Sequence, residues 1–354
     1  MILTKKNIKS INPEEIIYNK ISERKLHELL LIVPTNRKVR KLKQEIVSQS
    51  PNQSAGELFV DTIGTFSSNI FFHLNPKGKI LSESVSTVLM GQCFNEVELK
   101  YFAPYKKEIP YGTIEIVKNV IGEYKKHGIT PALLRKEAEK LSGTEKEKAS
   151  DIAAIYEHNL KNYDDISAYD TGDVYRYINS IEYGLFLKSF RECYGEINTI
   201  IIDGFDEFTT PEIDIINSLS DCVDNNLFLR FDYYENNPAL FSHLDKCYNK
   251  FIANGFKTIV NKEQVNRDGI NLILKEKLFN NSQNEIIVKN KPFTVISAVS
   301  REEEIELIAK EIKKIILSEE IEPHKICVVF NLISHYSAVI RDVFETYGIP
   351  FNLT

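Results

Sequence analysis

Two hydrophobic patterns recur along the chain. Residues 26–34, LHELLLIVP, are an apolar run ended by Pro34. Continuous rather than alternating apolarity predicts a strand buried on both faces, as in a parallel sheet. In the following TNRKVRKLKQEIVSQ, Val39, Leu42 and Ile46 recur at helical spacing and Thr35 stands at the cap position. ELFVDTI (57–63) predicts a second strand, broken by Gly64, and TFSSNIFFHL continues as a helix. Two successive strand–helix units predict an α/β domain.

From about residue 80 to 190 the helical period dominates, punctuated by Gly128, Pro131 and Gly143. This segment predicts a helical insertion. The sheet pattern resumes with INTIIID (197–203), followed by a helix from about Thr210 and a buried strand in NLFLRFDYY (226–234). Residues 260–292 are polar and rich in Asn and Lys, the composition of a linker or loop. A second α/β unit is expected beyond it: a strand FTVISAV (293–299), a helix SREEEIELIAKEIKKIIL, a strand KICVVF (325–330) and a helix SHYSAVIRDVFETYG. Ser300 and Glu303 have capping-box spacing, and Ile305, Ile308, Ile312 and Ile315 mark one face of the first of these helices. The expected organisation is a first domain in 1–80 plus 191–290, an all-helical insertion in 81–190, and the beginning of a second domain in 291–354. The chain stops inside that second unit, as a fragment of a longer protein would.

Composition narrows the class. Of the 354 residues 43% are hydrophobic and 27% charged, as in a soluble globular protein. No apolar run approaches the ~20 residues of a membrane span, and the N-terminus lacks a secretory pattern. The five cysteines are scattered and never spaced C-x-x-C, which argues against disulfides or zinc and for a cytoplasmic setting. The net charge of −6 means that any nucleic-acid surface must be a local basic patch.

The chemistry-bearing segments follow the predicted strands. IIIDGFDEFTTPE reads like a Walker B strand, with Asp203 where a carboxylate would hold Mg²⁺. Gly204 stands where the water-activating carboxylate is usual, and the first 55 residues contain no glycine from which to build a Walker A loop. Asp203 is therefore expected to cap the strand-to-helix turn. Arg37, Lys38, Arg40, Lys41 and Lys43 cluster on the helix after the first strand. Its N-terminus, with Thr35, Asn36 and Arg37, suits a nucleic-acid phosphate, or the cluster is a solvated face. In TIGTFSS, Thr62 and Thr65 offer hydroxyls to a phosphate and Phe66 a ring to a base; the alternative is an ordinary turn with a core phenylalanine. Asp164, Asp165, Asp170 and Asp173 read as turn and cap residues rather than metal ligands, and no catalytic triad or metal cluster stands out.

In their order, LLLIVPTNRKVRKLKQEI, FVDTIGTFSSNIF, EYKKHGITPALLRK, IIIDGFDEFTTPE, SREEEIELIAKEI with KICVVF, and YGIPF resemble the N-terminal part of AddB, the second subunit of AddAB-type ATP-dependent helicase/nucleases. The resemblance runs from about residue 26 to the end. It implies a UvrD-like superfamily 1 helicase architecture: a RecA-like parallel-sheet domain with a helical insertion, then the start of a second RecA-like domain. It implies a role in recombinational DNA repair, as a scaffold on DNA (single-stranded or a duplex end) beside an AddA-like helicase/nuclease subunit. It also implies that the DNA path follows the sheet strands, at Thr35, Asn36, Arg37, Thr62, Thr65 and Phe66, with Asp203 as a Walker B remnant. Many family members keep a P-loop at the extreme N-terminus, where this chain has MILTKKNIKSINPEEIIYNK. The family's PD-(D/E)XK nuclease domain and iron–sulfur cysteines lie far C-terminal to the matched region. No catalytic residue, metal ligand or cofactor is therefore expected, ATP with Mg²⁺ included. The rival readings are a degenerate ATPase built on Asp203 and a purely structural, partner-binding role.

Overall fold

The structure is a computed structural model that describes residues 1–105, 108–261, 269–280, 294–318 and 321–353, with the backbone alone at 261 and 269–272. It divides into two units, Met1–Ser282 and Gln283–Thr354.

The first unit opens with β1 (Ile2–Thr4), β2 (Ser10–Ile11) and α1 (Pro13–Ser22), elements that the hydrophobic pattern did not announce. Pro13 suits the first turn of α1, and the Asn12 side chain accepts the Glu14 backbone N–H. The predicted strand–helix units follow as β3 (Leu29–Ile32), α2 (Asn36–Gln49), β4 (Phe59–Asp61) and α3 (Ile63–Leu74). Gly64 does not break the strand; it lies in the first turn of α3.

The helical region contains β5 (Lys79–Ile80), α4 (Glu83–Glu96), α5 (Tyr111–Lys126), α6 (Pro131–Ala138), α7 (Gly143–Asp165), β6 (Ala168–Tyr169), α8 (Thr171–Ser180) and α9 (Tyr183–Tyr194). It is not all-helical, because β5 and β6 pair in parallel. The sheet resumes with β7 (Thr199–Ile202), α10 (Thr210–Cys222) and β8 (Leu227–Arg230). Then come α11 (Pro238–Phe241), α12 (Asp245–Ala253), β9 (Lys257–Asn261) and α13 (Gly269–Lys277). The segment expected to be a linker thus carries the end of a strand and a helix; residues 262–268 and 281–292 of it lie outside the described residues.

The main sheet has the order β2-β9-β1-β8-β7-β3-β4. β8, β7, β3 and β4 run parallel, with Leu229, Ile202, Ile32 and Asp61 side by side. β1 is antiparallel to both β8 and β9. Alternate residues feed two cores. Leu30, Ile32, Ile200, Ile202, Leu227 and Leu229 face a core with Phe66, Ile70, Val174, Phe190 and Ile216. Leu29, Leu31, Val60, Ile201 and Phe228 face the opposite core, closed by Ile21 of α1 and Ile46 of α2. Every central strand is buried on both faces, which is why its apolarity reads as a run.

The helices α4, α5 and α7 hold a third core around Met90, Phe94, Val117, Ile121, Ile155 and Tyr156. Beside it, Lys125 of α5 is buried, with its side chain 2% exposed. Its Nζ donates to Asp170 at 2.7 Å and Asp173 at 2.9 Å, and lies 4.5 Å from the centre of the Tyr163 ring. Asp170 and Asp173 also form the capping box of α8, in keeping with the cap role expected of them. Burial alone would lower the Lys125 pKa, but the two carboxylates hold it above its usual 10.5. The ammonium therefore stays charged at neutral pH; its contribution is lost as pH rises through that elevated value, and at the acid end the bridge is lost as the Asp173 carboxyl, whose own pKa burial raises, takes up a proton.

In the second unit, α14 (Arg301–Ser318) packs on α15 (Ser337–Thr346) through Ile305, Ala309, Ile312, Ile340 and Phe344. Ser300 caps α14 by accepting the Glu303 backbone N–H at 3.2 Å. The strands expected at 293–299 and 325–330 are not formed among the described residues, and Phe293 lies outside them. Ile326, Val328 and Phe330 nevertheless pack against the helices.

Replacing Lys125 with Met removes the buried cation from Asp173 and leaves its carboxylate only Arg176, at 3.4 Å. The expected cost is about 3–5 kcal/mol of unfolding free energy, read from urea denaturation at pH 7. Gly172→Ala should also destabilise, because a Cβ there would lie 2.4 Å from the Lys125 Cβ.

Candidate nucleic-acid interface at the sheet edge

Ligands of open α/β sheets bind outside the carboxyl ends of the strands. Four parallel strands end together here. After β3, Pro34 stops the strand and Thr35, in extended geometry, caps α2 by accepting the Lys38 backbone N–H at 3.2 Å. After β4, Thr62 caps α3 by accepting the Thr65 backbone N–H at 3.0 Å, and the two threonine hydroxyls are 3.0 Å apart. Because β3 and β4 are adjacent and in register at Ile32 and Asp61, the N-termini of α2 and α3 rise from the same edge. Each brings unsatisfied backbone N–H groups and the positive end of a helix dipole.

Asn36, Arg37 and Thr65 are exposed and Thr62 is half-buried. Phe66 corrects the sequence reading. It is fully buried, its ring centre 5.1 Å from that of Tyr194 and 6.3 Å from that of Phe190, so it is a core residue and cannot stack a base in this fold. The end of β4 is anchored beneath it: the Tyr194 hydroxyl donates to Asp61 at 2.8 Å, and burial raises the Asp61 carboxyl pKa.

Asp203 follows β7, and its role also differs from expectation. Thr209 and Glu212 cap α10 through a capping box, so Asp203 is not the cap. Its carboxylate meets two cations instead: Lys38 Nζ lies 3.2 Å from Oδ2, and Arg230 Nη1 lies 3.6 Å from Oδ1. Lys38 also donates to the Asp203 carbonyl at 3.4 Å. Arg230, at the end of β8, pairs in turn with Glu14 of α1. Gly204 has φ +85°, and a Cβ there would lie 2.0 Å from Lys38 Nζ.

Next to this charge chain a groove of about 550 Å³ is lined by Pro34, Thr35, Gly204, Phe205, Asp206, Glu207 and His243. Phe205 is half-buried and His243 exposed. Sequence reasoning missed Lys38 as the partner of Asp203, and missed Arg230, Phe205 and His243. The one usable signal was Arg230, a lone charge closing the apolar run LFLR. Among the described residues no three His, Cys, Asp or Glu side chains are grouped to hold a metal ion, and no helix is long and apolar enough to cross a membrane.

Residues 9–284 match the family model described as ADDB, N-terminal. Among curated proteins, the chain is 26% identical over 294 residues to the B subunit of the ATP-dependent helicase/deoxyribonuclease of Clostridium novyi (strain NT), covering 77% of this chain and 25% of that protein. It is 26% identical over 261 residues to the protein of the same name from Alkaliphilus metalliredigens, covering 68% and 22%. The Acetivibrio thermocellus protein of that name aligns over 375 residues at 22% identity, covering 95% and 30%. The chain thus spans between a fifth and a third of the length of these relatives.

Gly204→Ala should displace Lys38 from Asp203 and force a left-handed alanine. The expected loss is about 1–2 kcal/mol in chemical denaturation, with the fold retained by circular dichroism.

Proposed function

The chain belongs to the AddB N-terminal family, and from that premise we propose that it is a catalytically silent, helicase-like DNA-binding and scaffold module of a cytoplasmic double-strand-break-processing helicase/nuclease. Its DNA substrate is a single strand or a duplex end, and its partner is an AddA-like motor protein. The observation that carries the DNA-binding reading is the pair of adjacent helix N-termini on one sheet edge, with Thr35, Asn36, Arg37, Thr62 and Thr65 around them. Backbone N–H groups, hydroxyls and a guanidinium gathered there suit successive phosphates without reading base identity. Phe66 is left out of this set because its ring is buried.

The residues do not fit a Mg²⁺–ATP site. The carboxylate in the Walker B place already faces Lys38 and Arg230. The next residue is glycine, and no glycine loop precedes Gly56. This supports a silent module and weighs against a degenerate ATPase built on Asp203.

Fluorescence anisotropy with a labelled single-stranded oligonucleotide tests the DNA-binding reading. Binding is expected to weaken with salt, and Arg37→Ala should lower both the affinity and the magnitude of the salt slope by about 0.7. Affinity that ignores salt would sink the reading. Titration calorimetry with ATP and Mg²⁺ is expected to give no binding heat; heat abolished by Asp203→Ala would restore the ATPase alternative.

A further inference from the structure

We propose that Lys38 and Asp203 form a positioning clamp that sets the spacing of the two walls of the sheet-edge groove, and, by fixing the α2 wall, governs how tightly a nucleic-acid strand is held on the N-termini of α2 and α3. The inference rests on the DNA-binding reading above. One wall is Pro34 and Thr35, at the start of α2; the other is the loop Gly204–Glu207, after β7. The members of the clamp are 165 residues apart in sequence. The backbone ladder between β3 and β7 ends where the Asp203 N–H donates to the Ile32 carbonyl at 3.0 Å, and beyond that point the walls diverge into α2 and the loop after β7. Lys38 spans them from the first turn of α2. Its ammonium holds both the side chain and the backbone carbonyl of Asp203, at 3.2 and 3.4 Å. The left-handed glycine that follows lets the lysine approach so closely. Arg230 fixes the other carboxylate oxygen from β8. The lysine that sequence alone assigns to the basic patch is thus turned inward, away from the exposed Arg37 and Arg40.

A clamp and a direct phosphate contact predict opposite things for one substitution. Asp203→Asn removes a negative charge beside the interface. Simple electrostatics therefore predicts tighter binding, whereas loss of the clamp predicts weaker binding. The experiment is anisotropy titration of the 354-residue chain and its variants with labelled single-stranded oligonucleotide, across a salt series. Circular dichroism and thermal unfolding serve as the folding check. Asp203→Asn and Lys38→Met are each expected to weaken binding about three- to tenfold, with the salt slope of the parent chain, and Lys38→Arg to retain most of the affinity. Two outcomes overturn the clamp: Asp203→Asn binding as tightly as the parent or tighter, or Lys38→Met flattening the slope by about 0.7, the mark of a lost phosphate contact. If the parent chain binds no oligonucleotide, the DNA-binding reading itself fails, an outcome distinct from both. Because Lys38 sits on a surface helix and is one third exposed, Lys38→Met keeps the test open even if Asp203→Asn unfolds.

Discussion

A single buried ammonium decides how the helical region meets the sheet domain. Lys125 is almost without solvent, and a charge in that position is tolerable only when it is paired and hydrogen-bonded. Its partners, Asp170 and Asp173, are the first capping residues of α8. Satisfying the lysine therefore fixes where α8 begins and how closely it approaches α5, down to the requirement for glycine at 172. α8 in turn packs against α3 and α10, which cover one face of the sheet. The position of the whole helical region is thereby tied to the strands whose ends form the candidate interface.

The edge itself follows from parallel pairing. Strands that run the same way must all deliver their helices from one side, so helix N-termini collect there without any side chain being selected for it. What the side chains add is the distribution of charge. The Walker B-like aspartate, which a nucleotide-bound metal would neutralise, is neutralised by Lys38 and Arg230 and linked onward to Glu14. The sheet presents its parallel strand ends at this edge, and the carboxylate's electrostatic partners come from within the chain.

Much of this was legible in the sequence. β3, β7 and β8 stood out because both faces are buried, and α2 because its cap and apolar spacing agree. Val117, Ile121 and Lys125 share one helical face, so a lone inward lysine was readable in principle. Other features were hidden for physical reasons. β1 is a strand because β8 and β9 pair with it, and its few residues show no period of their own. The apolar stretches near 295 and 328 satisfy the same propensity, yet form no ladder among the described residues, because propensity does not supply a partner. Phe66 was ambiguous because a ring four residues before Ile70 fits a buried helix face as well as a binding loop. The Lys38–Asp203–Arg230 chain joins residues far apart in sequence, which no local pattern encodes.

The charge distribution also gives the proposed interface a direction. On the β7 side the groove is lined by Asp206 and Glu207, both exposed, and these carboxylates oppose a phosphate. On the β3 and β4 side stand two helix N-termini, with Arg37, Arg40 and Lys41 on the outer face of α2. A nucleic-acid backbone laid on this edge is favoured over β3 and β4 and disfavoured over β7. The clamp between Lys38 and Asp203 lies on the line where these two fields meet. By drawing one lysine out of the basic patch and joining it to the acidic loop, it sharpens that boundary as well as holding the two walls together.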